Sequence, residues 1–253
     1  MNTKKMIGAV ISGGASGLGF ATARRIVDLD GRVAILDIDE ATGASAQKRL
    51  GGNAFFIKTN VTSESEVDNA IEKALGFLPY INLAVNCAGI APSQLILGKE
   101  GLMSTQEFSR VIHINLISTY SIIRAVANVM QRNQVGTDGQ RGVIINTSSI
   151  AATDGQIGQS AYAASKGGVS SLSLPLAREF SRFGIRVVDI APGLFKTPLF
   201  DKLPEKAIAS LTDNIPFPKR VGEPDEFART VMHILDNVML NGSTIRLDGA
   251  LRM

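Results

Sequence analysis

Short apolar runs rich in β-branched residues recur along this chain, at 6–11, 32–37, 54–57, 82–85, 142–146, 185–190 and 243–247. Helical patterns fill the intervals near 17–30, 40–50, 64–75, 105–132 and 160–183, and another near 224–236 precedes the last run. Strand–helix alternation of this kind predicts right-handed crossovers between parallel strands. The runs carry almost no polar residue, as strands covered on both faces should. The fold class expected is α/β: a doubly wound, Rossmann-type parallel sheet of about seven strands with helices on both faces. No shift of composition divides the chain, so residues 1–253 are read as one domain.

Three stretches break the rhythm: 91–104, 133–141 and the proline-bearing 192–218, which includes Pro192, Pro198, Pro204 and Pro216. In an open α/β sheet, long loops beyond the strand C-termini shape a ligand crevice. The first and third fit that position, and the second lies at the opposite edge.

Composition excludes several classes. The balance of 26 Lys and Arg against 23 Asp and Glu is +3, with no long like-charged run, so no nucleic-acid footprint is indicated. A mild positive balance suits an anionic small molecule. The lone Cys87 forbids an intramolecular disulfide and a multi-cysteine metal site, and two histidines make a His-rich site untenable, so no metal is expected. Cys87 has no adjoining His and reads as a small buried residue, and His113 as a packing residue. No apolar stretch is long enough to cross a membrane, and the N-terminal apolar run reads as a strand, not a leader. These features suit a reducing compartment, with the cytoplasm expected, or the mitochondrial matrix for a eukaryotic source.

The first motif is Ser12-Gly13-Gly14-Ala15-Ser16-Gly17-Leu18-Gly19, directly after the first strand and opening a helix. Glycines there let the backbone turn tightly and approach a pyrophosphate, which the helix N-terminus receives. The bland alternative is a tight turn for helix–strand packing. Asp37 ends the second strand, where a carboxylate can accept from adenosine ribose hydroxyls. No Arg or Lys stands at Gly14, Ala15, Ser16 or Ile38 to welcome a 2′-phosphate. Asp37 could otherwise be a solvated capping residue.

Tyr162 and Lys166 are four apart and share one helix face, and Ser149 lies just past the fifth strand. An ammonium and an oxidised nicotinamide would lower the tyrosine from its ordinary pKa of about 10. Tyr162 could then take a proton from a substrate hydroxyl while Ser149 holds the oxygen. The alternative is a core tyrosine and a surface lysine. Pro175 should kink or locally unwind the helix predicted over 160–183.

Taken together these residues resemble the short-chain dehydrogenase/reductase family over essentially the whole chain. The resemblance rests on the loop at 12–19, Asn86-Cys87-Ala88-Gly89, Ser149 with Tyr162 and Lys166, and Pro192-Gly193 followed by Thr197. It implies that Asn115 completes the catalytic group, holding a water that relays protons through Lys166. A helix-bend asparagine is the alternative, and both can hold. It implies NAD binding by Gly13, Ser16, Gly17, Leu18, Gly19, Asp37, Asn60, Val61, Asn86, Ala88, Gly89, Tyr162, Lys166, Pro192, Gly193, Phe195 and Thr197. Asn60 stands where the family usually has Asp, and Ser12 where it usually has Thr.

Gly89-Ile90-Ala91 and the segments 139–147, 155–159, 191–195 and 245–253 look like those of family members acting on 3-hydroxyacyl-CoA. That likeness implies NAD-linked interconversion of (S)-3-hydroxyacyl-CoA and 3-oxoacyl-CoA, with tolerance of other secondary alcohols, including steroids. Substrate would meet Ser149, Tyr162 and Gln156, although Gln156 reads equally well as a solvated loop residue. The stretch rich in Ala, Gly and Ser at 161–171 implies a subunit interface, and with it a homotetramer. A general alcohol dehydrogenase, an NADPH-linked 3-oxoacyl-carrier-protein reductase and a non-catalytic NAD-binding scaffold stay open as alternatives. Asp37 weighs against NADPH, and the presence of Asn115, Ser149, Tyr162 and Lys166 weighs against a scaffold.

Overall fold

A computed structural model describes residues 6–99, 101–198, 200 and 212–252. Residues 1–5, Glu100, Leu199, residues 201–211 and Met253 lie outside the described residues, and with them Pro204 of the expected crevice loop. The strands are β1 (Gly8–Ser12), β2 (Arg32–Asp37), β3 (Ala54–Lys58), β4 (Leu83–Asn86), β5 (Leu97–Gly98), β6 (Gly101–Leu102), β7 (Gly142–Thr147), β8 (Ile185–Pro192) and β9 (Thr244–Leu247). The α-helices are α1 (Gly17–Val27), α2 (Glu40–Leu50), α3 (Glu64–Phe77), α4 (Thr105–Ile112), α5 (Ser118–Met130), α6 (Ser160–Phe180) and α7 (Pro224–Asp236).

Seven strands pair in parallel in the order β3-β2-β1-β4-β7-β8-β9. Alternate side chains of the same strands feed two cores. Val10, Leu36, Ile144 and Val187 pack beneath α3, α5 and α6. Ile11, Ile35, Val85 and Ile190 pack beneath α1, α2 and α7. Burial on both faces explains why these strands read as continuous apolar runs. The order reverses between β1 and β4, and an open sheet parts there to leave a crevice above the strand C-termini.

Three expectations change in detail. The helix expected over 105–132 is two helices joined by a π-turn at His113–Ile117. The hydroxyls of Ser118, Thr119 and Ser121 donate to the carbonyls of Ile114, Asn115 and Ile117, giving the widened turn its own partners. The loop expected at 91–104 contains the β5–β6 hairpin, in which Gly98 pairs with Gly101, the latter at φ 116°, and Gln94 N donates to Gly158 O at 2.8 Å. Pro175 does not unwind its helix: α6 runs from Ser160 to Phe180 as one element, with the neighbouring Leu176 and Ala177 anchored in the core. At the far edge of the sheet, Asn133 Nδ2 donates to Ile81 O at 2.7 Å and Arg141 O at 2.9 Å, which keeps 133–141 away from the crevice. No helix among the described residues is long and apolar enough to cross a membrane.

Candidate active site

Beyond β1 the chain turns through Gly13, at φ 62°, and enters α1 at Gly17, at φ 52°. A Cβ at Gly13 would lie 2.7 Å from Ala88 N, and one at Gly19 would lie 2.3 Å from Gly13 O. Only glycine lets this loop lie flat against the segment after β4. Side chains cap α2, α3 and α4: Asp39 accepts from Thr42 N, Ser63 from Glu66 N and Ser104 from Glu107 N. Ser16, at the same position of α1, makes no such bond, and the first turn holds no acidic residue. The opening N–H groups of α1 are thus left to an anion in the crevice.

These residues wall a cleft of about 560 Å³ together with Asp37, Thr59, Asn60, Val61, Ala88, Gly89 and Thr197. Asp37 is pinned at its lip: Oδ2 accepts from Ala15 N and Oδ1 from Asp39 N, each at 3.2 Å. A dinucleotide fits this cradle, with the α1 terminus for its phosphates and the Asp37 carboxylate for ribose hydroxyls. Two of the expected residues have partners within the protein. Asn60 lines the cleft while its Oδ1 accepts from Thr62 N and Thr62 Oγ1. Asn86 is buried, donating to Asn146 Oδ1 at 3.0 Å and accepting from Ser12 Oγ at 3.4 Å.

A second cleft of about 370 Å³ is lined by Ser149, Gln156, Tyr162, Lys166, Pro192, Gly193 and Phe195. It shares Leu18, Cys87, Gly89, Ile90 and Thr197 with the first, so the two open into each other. Ser149 follows β7 and caps the single 3-10 turn Ile150–Ala152, accepting from Ala151 N at 3.1 Å. Its O–H stays available to donate. Tyr162 sits in the first turn of α6. Burial pushes its hydroxyl above the ordinary value, and a hydrogen bond with Ser149 works against that. Lys166, one turn on, donates from Nζ to Thr147 O at 2.8 Å and stands 5.9 Å from the centroid of the Tyr162 ring. Burial draws this ammonium down to about 8, opposed by the charge of Asp189. The expected lowering of Tyr162 by Lys166 is therefore not what the chain produces alone, because burial dominates the phenol.

Asn115 lines neither cleft. It is fully buried in the π-turn and donates from Nδ2 to Ser165 Oγ at 2.9 Å. Gly89 separates it from the cleft: a Cβ there would lie 3.1 Å from Asn115 Oδ1 and 3.5 Å from Lys166 Nζ. Cys87 is partly buried with its thiol pushed up to about 11 by burial, the opposite of an activated nucleophile. His113 is exposed, with Nε2 3.2 Å from Thr62 O. Among the described residues no group of His, Cys, Asp and Glu is placed to hold a metal ion.

The structure adds groups the sequence pattern did not single out. Ser165 meets Asn115, the Thr147 carbonyl meets Lys166, and the Ser148–Asp189 pair lies directly behind Ser149. Nothing in spacing signals them, since Ser148 and Asp189 lie 41 residues apart. Gly168 also has an internal role. A Cβ there would meet Leu116 at 2.6 Å, so part of the small-residue stretch serves close packing within the chain.

The family model for short chain dehydrogenases matches residues 8–208. The chain is 50% identical over 247 residues to 3-hydroxyacyl-CoA dehydrogenase type-2 of Rattus norvegicus, covering 97% of this chain and 95% of the relative. It superimposes with a TM-score of 0.93 on the crystal structure of 3-hydroxyacyl-CoA dehydrogenase type-2 from Mycobacterium avium, at 41% identity, covering 100% of this chain and 99% of that one. A 3-ketoacyl-(acyl-carrier-protein) reductase from Brucella melitensis, complexed with NADH, matches with a TM-score of 0.86 at 28% identity, covering 96% of each chain. The extent of these matches and the shared sheet make the chain an oxidoreductase that belongs to the short-chain dehydrogenase family.

Proposed function

We propose that this enzyme interconverts (S)-3-hydroxyacyl-CoA and 3-oxoacyl-CoA with NAD as its partner in hydride transfer. The observation that carries the reading is the placement of Ser149, Tyr162 and Lys166 in one cleft that opens into the glycine-loop cleft. The likeness to 3-hydroxyacyl-CoA dehydrogenases supports the substrate class. Asp37, with no cationic residue at Gly14, Ala15, Ser16 or Ile38, supports NAD over its 2′-phosphorylated form.

NAD, when bound, supplies the hydride acceptor for oxidation. Ser149 donates to the substrate oxygen and so fixes the carbinol within reach of Tyr162. Tyr162 takes the hydroxyl proton, and its raised pKa means that nearby positive charge has to favour the phenolate. Lys166 brings such charge to the tyrosine ring and holds it there through the Thr147 carbonyl. Asn115 fixes the backbone at Ile90, which walls both clefts. Gln156 lines the substrate cleft and would meet the thioester.

The test is a panel of (S)-3-hydroxyacyl-CoA esters and their free alcohol fragments, followed by NADH formation at fixed pH. A much higher kcat/KM for the esters is expected, because binding energy from the CoA moiety is available to the transition state. Equal efficiency would make the enzyme a general alcohol dehydrogenase. The proposal includes assembly as a homotetramer, which light scattering checks; a monomer mass at micromolar concentration contradicts that part.

A further inference from the structure

Thr147, Ser148 and Ser149 follow one another at the C-terminal end of β7, and each makes a different contact. The Thr147 carbonyl accepts from the Lys166 ammonium at 2.8 Å. Ser149 lines the substrate cleft together with Tyr162 and Lys166. Between them, Ser148 is fastened twice to one carboxylate: its N–H donates to Asp189 Oδ1 at 3.0 Å and its hydroxyl to Asp189 Oδ2 at 2.6 Å.

Asp189 lies on β8 with no exposed surface. Thr244 of β9 donates to its Oδ2 at 3.0 Å, and Ser170 of α6 shares a 2.7 Å hydroxyl bond with Thr244. A buried carboxylate is costly unless it is bonded or paired, and neutral groups could have tied these strands together. This one is bonded at the residue between two contacts of the reacting cluster. Burial drives its carboxyl up, while hydrogen bonds from Ser148, Thr244 and Ser170 drive it down. From β7 it is faced by Asn146, its register partner, and by Ser148; from β9 by Thr244; from α6 by Ser170 and the Lys166 ammonium. Arg246, further along β9, is engaged by Asp154 and Asp248. Lys166 also faces the Cys87 thiol, which burial keeps protonated.

We propose that Asp189 is a positioning residue of the reaction centre: through Ser148 it fixes the Thr147 carbonyl and the Ser149 hydroxyl relative to each other, and as an anion it sustains the charge on Lys166. This rests on reading Ser149, Tyr162 and Lys166 as the reacting cluster.

The test uses Asp189→Asn, which keeps the shape and removes the charge, beside Ser148→Ala, which keeps the charge and removes one strut. Lysine labelled with carbon-13 at Cε reports the titration of Lys166 by NMR in the protein alone, with the signal assigned from a Lys166→Arg variant. That readout involves neither substrate nor dinucleotide, so it is separate from the identity of the alcohol oxidised. In Asp189→Asn the Lys166 midpoint should fall by about one pH unit or more from its wild-type value, and kcat should fall about tenfold or more, with a larger loss at pH 8.5 than at 6.5. In Ser148→Ala the midpoint should hold while kcat falls about tenfold at unchanged Tm. An unmoved midpoint in Asp189→Asn, or wild-type kcat in Ser148→Ala, overturns the proposal. If Asp189→Asn does not fold, Ser148→Ala decides alone by the same kcat criterion.

Discussion

Asn115 and Ile90 bond each other twice. The Ile90 N–H donates to Asn115 Oδ1 at 2.8 Å, and Asn115 Nδ2 donates to Ile90 O at 2.9 Å. One buried side chain thereby takes both backbone groups of a residue that walls both clefts, and ties the loop after β4 to the π-turn.

Asn115→Ala should be costly in stability as well as turnover. It strands the Ile90 N–H and carbonyl, a loss of about 2–3 kcal/mol where the groups are partly buried. For a chain of this size that lowers Tm by about 5–10 °C. Calorimetry checks it; an unchanged Tm would show that water or a shifted backbone replaces the bridge.

Tyr162→Phe should abolish turnover by about a thousandfold or more while the dinucleotide still binds. The hydroxyl faces the substrate cleft, and the glycine-loop cleft is built from other residues. Single-turnover kinetics and titration followed by the change in NADH fluorescence on binding measure the two separately. Substantial activity in the folded variant would remove Tyr162 from its role.

Cys87 should react slowly with alkylating reagents despite lining both clefts. Its thiol is pushed from 9.0 to about 11, so at neutral pH the reactive thiolate is about a hundredfold scarcer than for an unburied thiol. The sign follows from burial, which disfavours the anion. The labelling rate in the folded protein should keep rising with pH past 9. A plateau near pH 8 would place the thiol in a cationic setting instead.

Asp37→Ala should shrink the preference for NAD over NADP from both sides. The wild-type carboxylate would face a 2′-phosphate at close range, a repulsion of about 3 kcal/mol or more at intermediate dielectric, which is over a hundredfold in affinity. Steady-state kcat/KM for both cofactors on both proteins decides it. A ratio untouched by the substitution would separate Asp37 from the ribose.

What the sequence made legible follows from how each signal arises. The strands could be read because β1 and β2 carry unbroken runs of buried apolar residues, Ala9–Ile11 and Val33–Leu36. The π-turn at His113–Ile117 was invisible because the partners of its Asn115, Ser165 and Ile90, lie far from it in the chain. The β5–β6 hairpin was missed because two-residue strands carry no period. In the site, the local features stood out: the glycine turn, Asp37 at a strand end, and Tyr162 with Lys166 on one helix face. Side-chain direction did not. Asn86 reads as a cleft residue by position, yet its amide bonds to Asn146, its register partner on the neighbouring strand.

The place of β1 at the centre of the sheet bears on how the molecule is made. Ser12 pairs with Leu36 on one side and with Asn86, 74 residues away, on the other. Pairing over such a separation closes a long loop before any contact rewards it, and chains dominated by such contacts fold slowly. The glycine turn rests against Ala88 and takes its shape only when β4 has joined. A nascent chain therefore has no dinucleotide cleft until at least a third of it has been synthesised, because the cleft needs residues from both sides of the switch between β1 and β4.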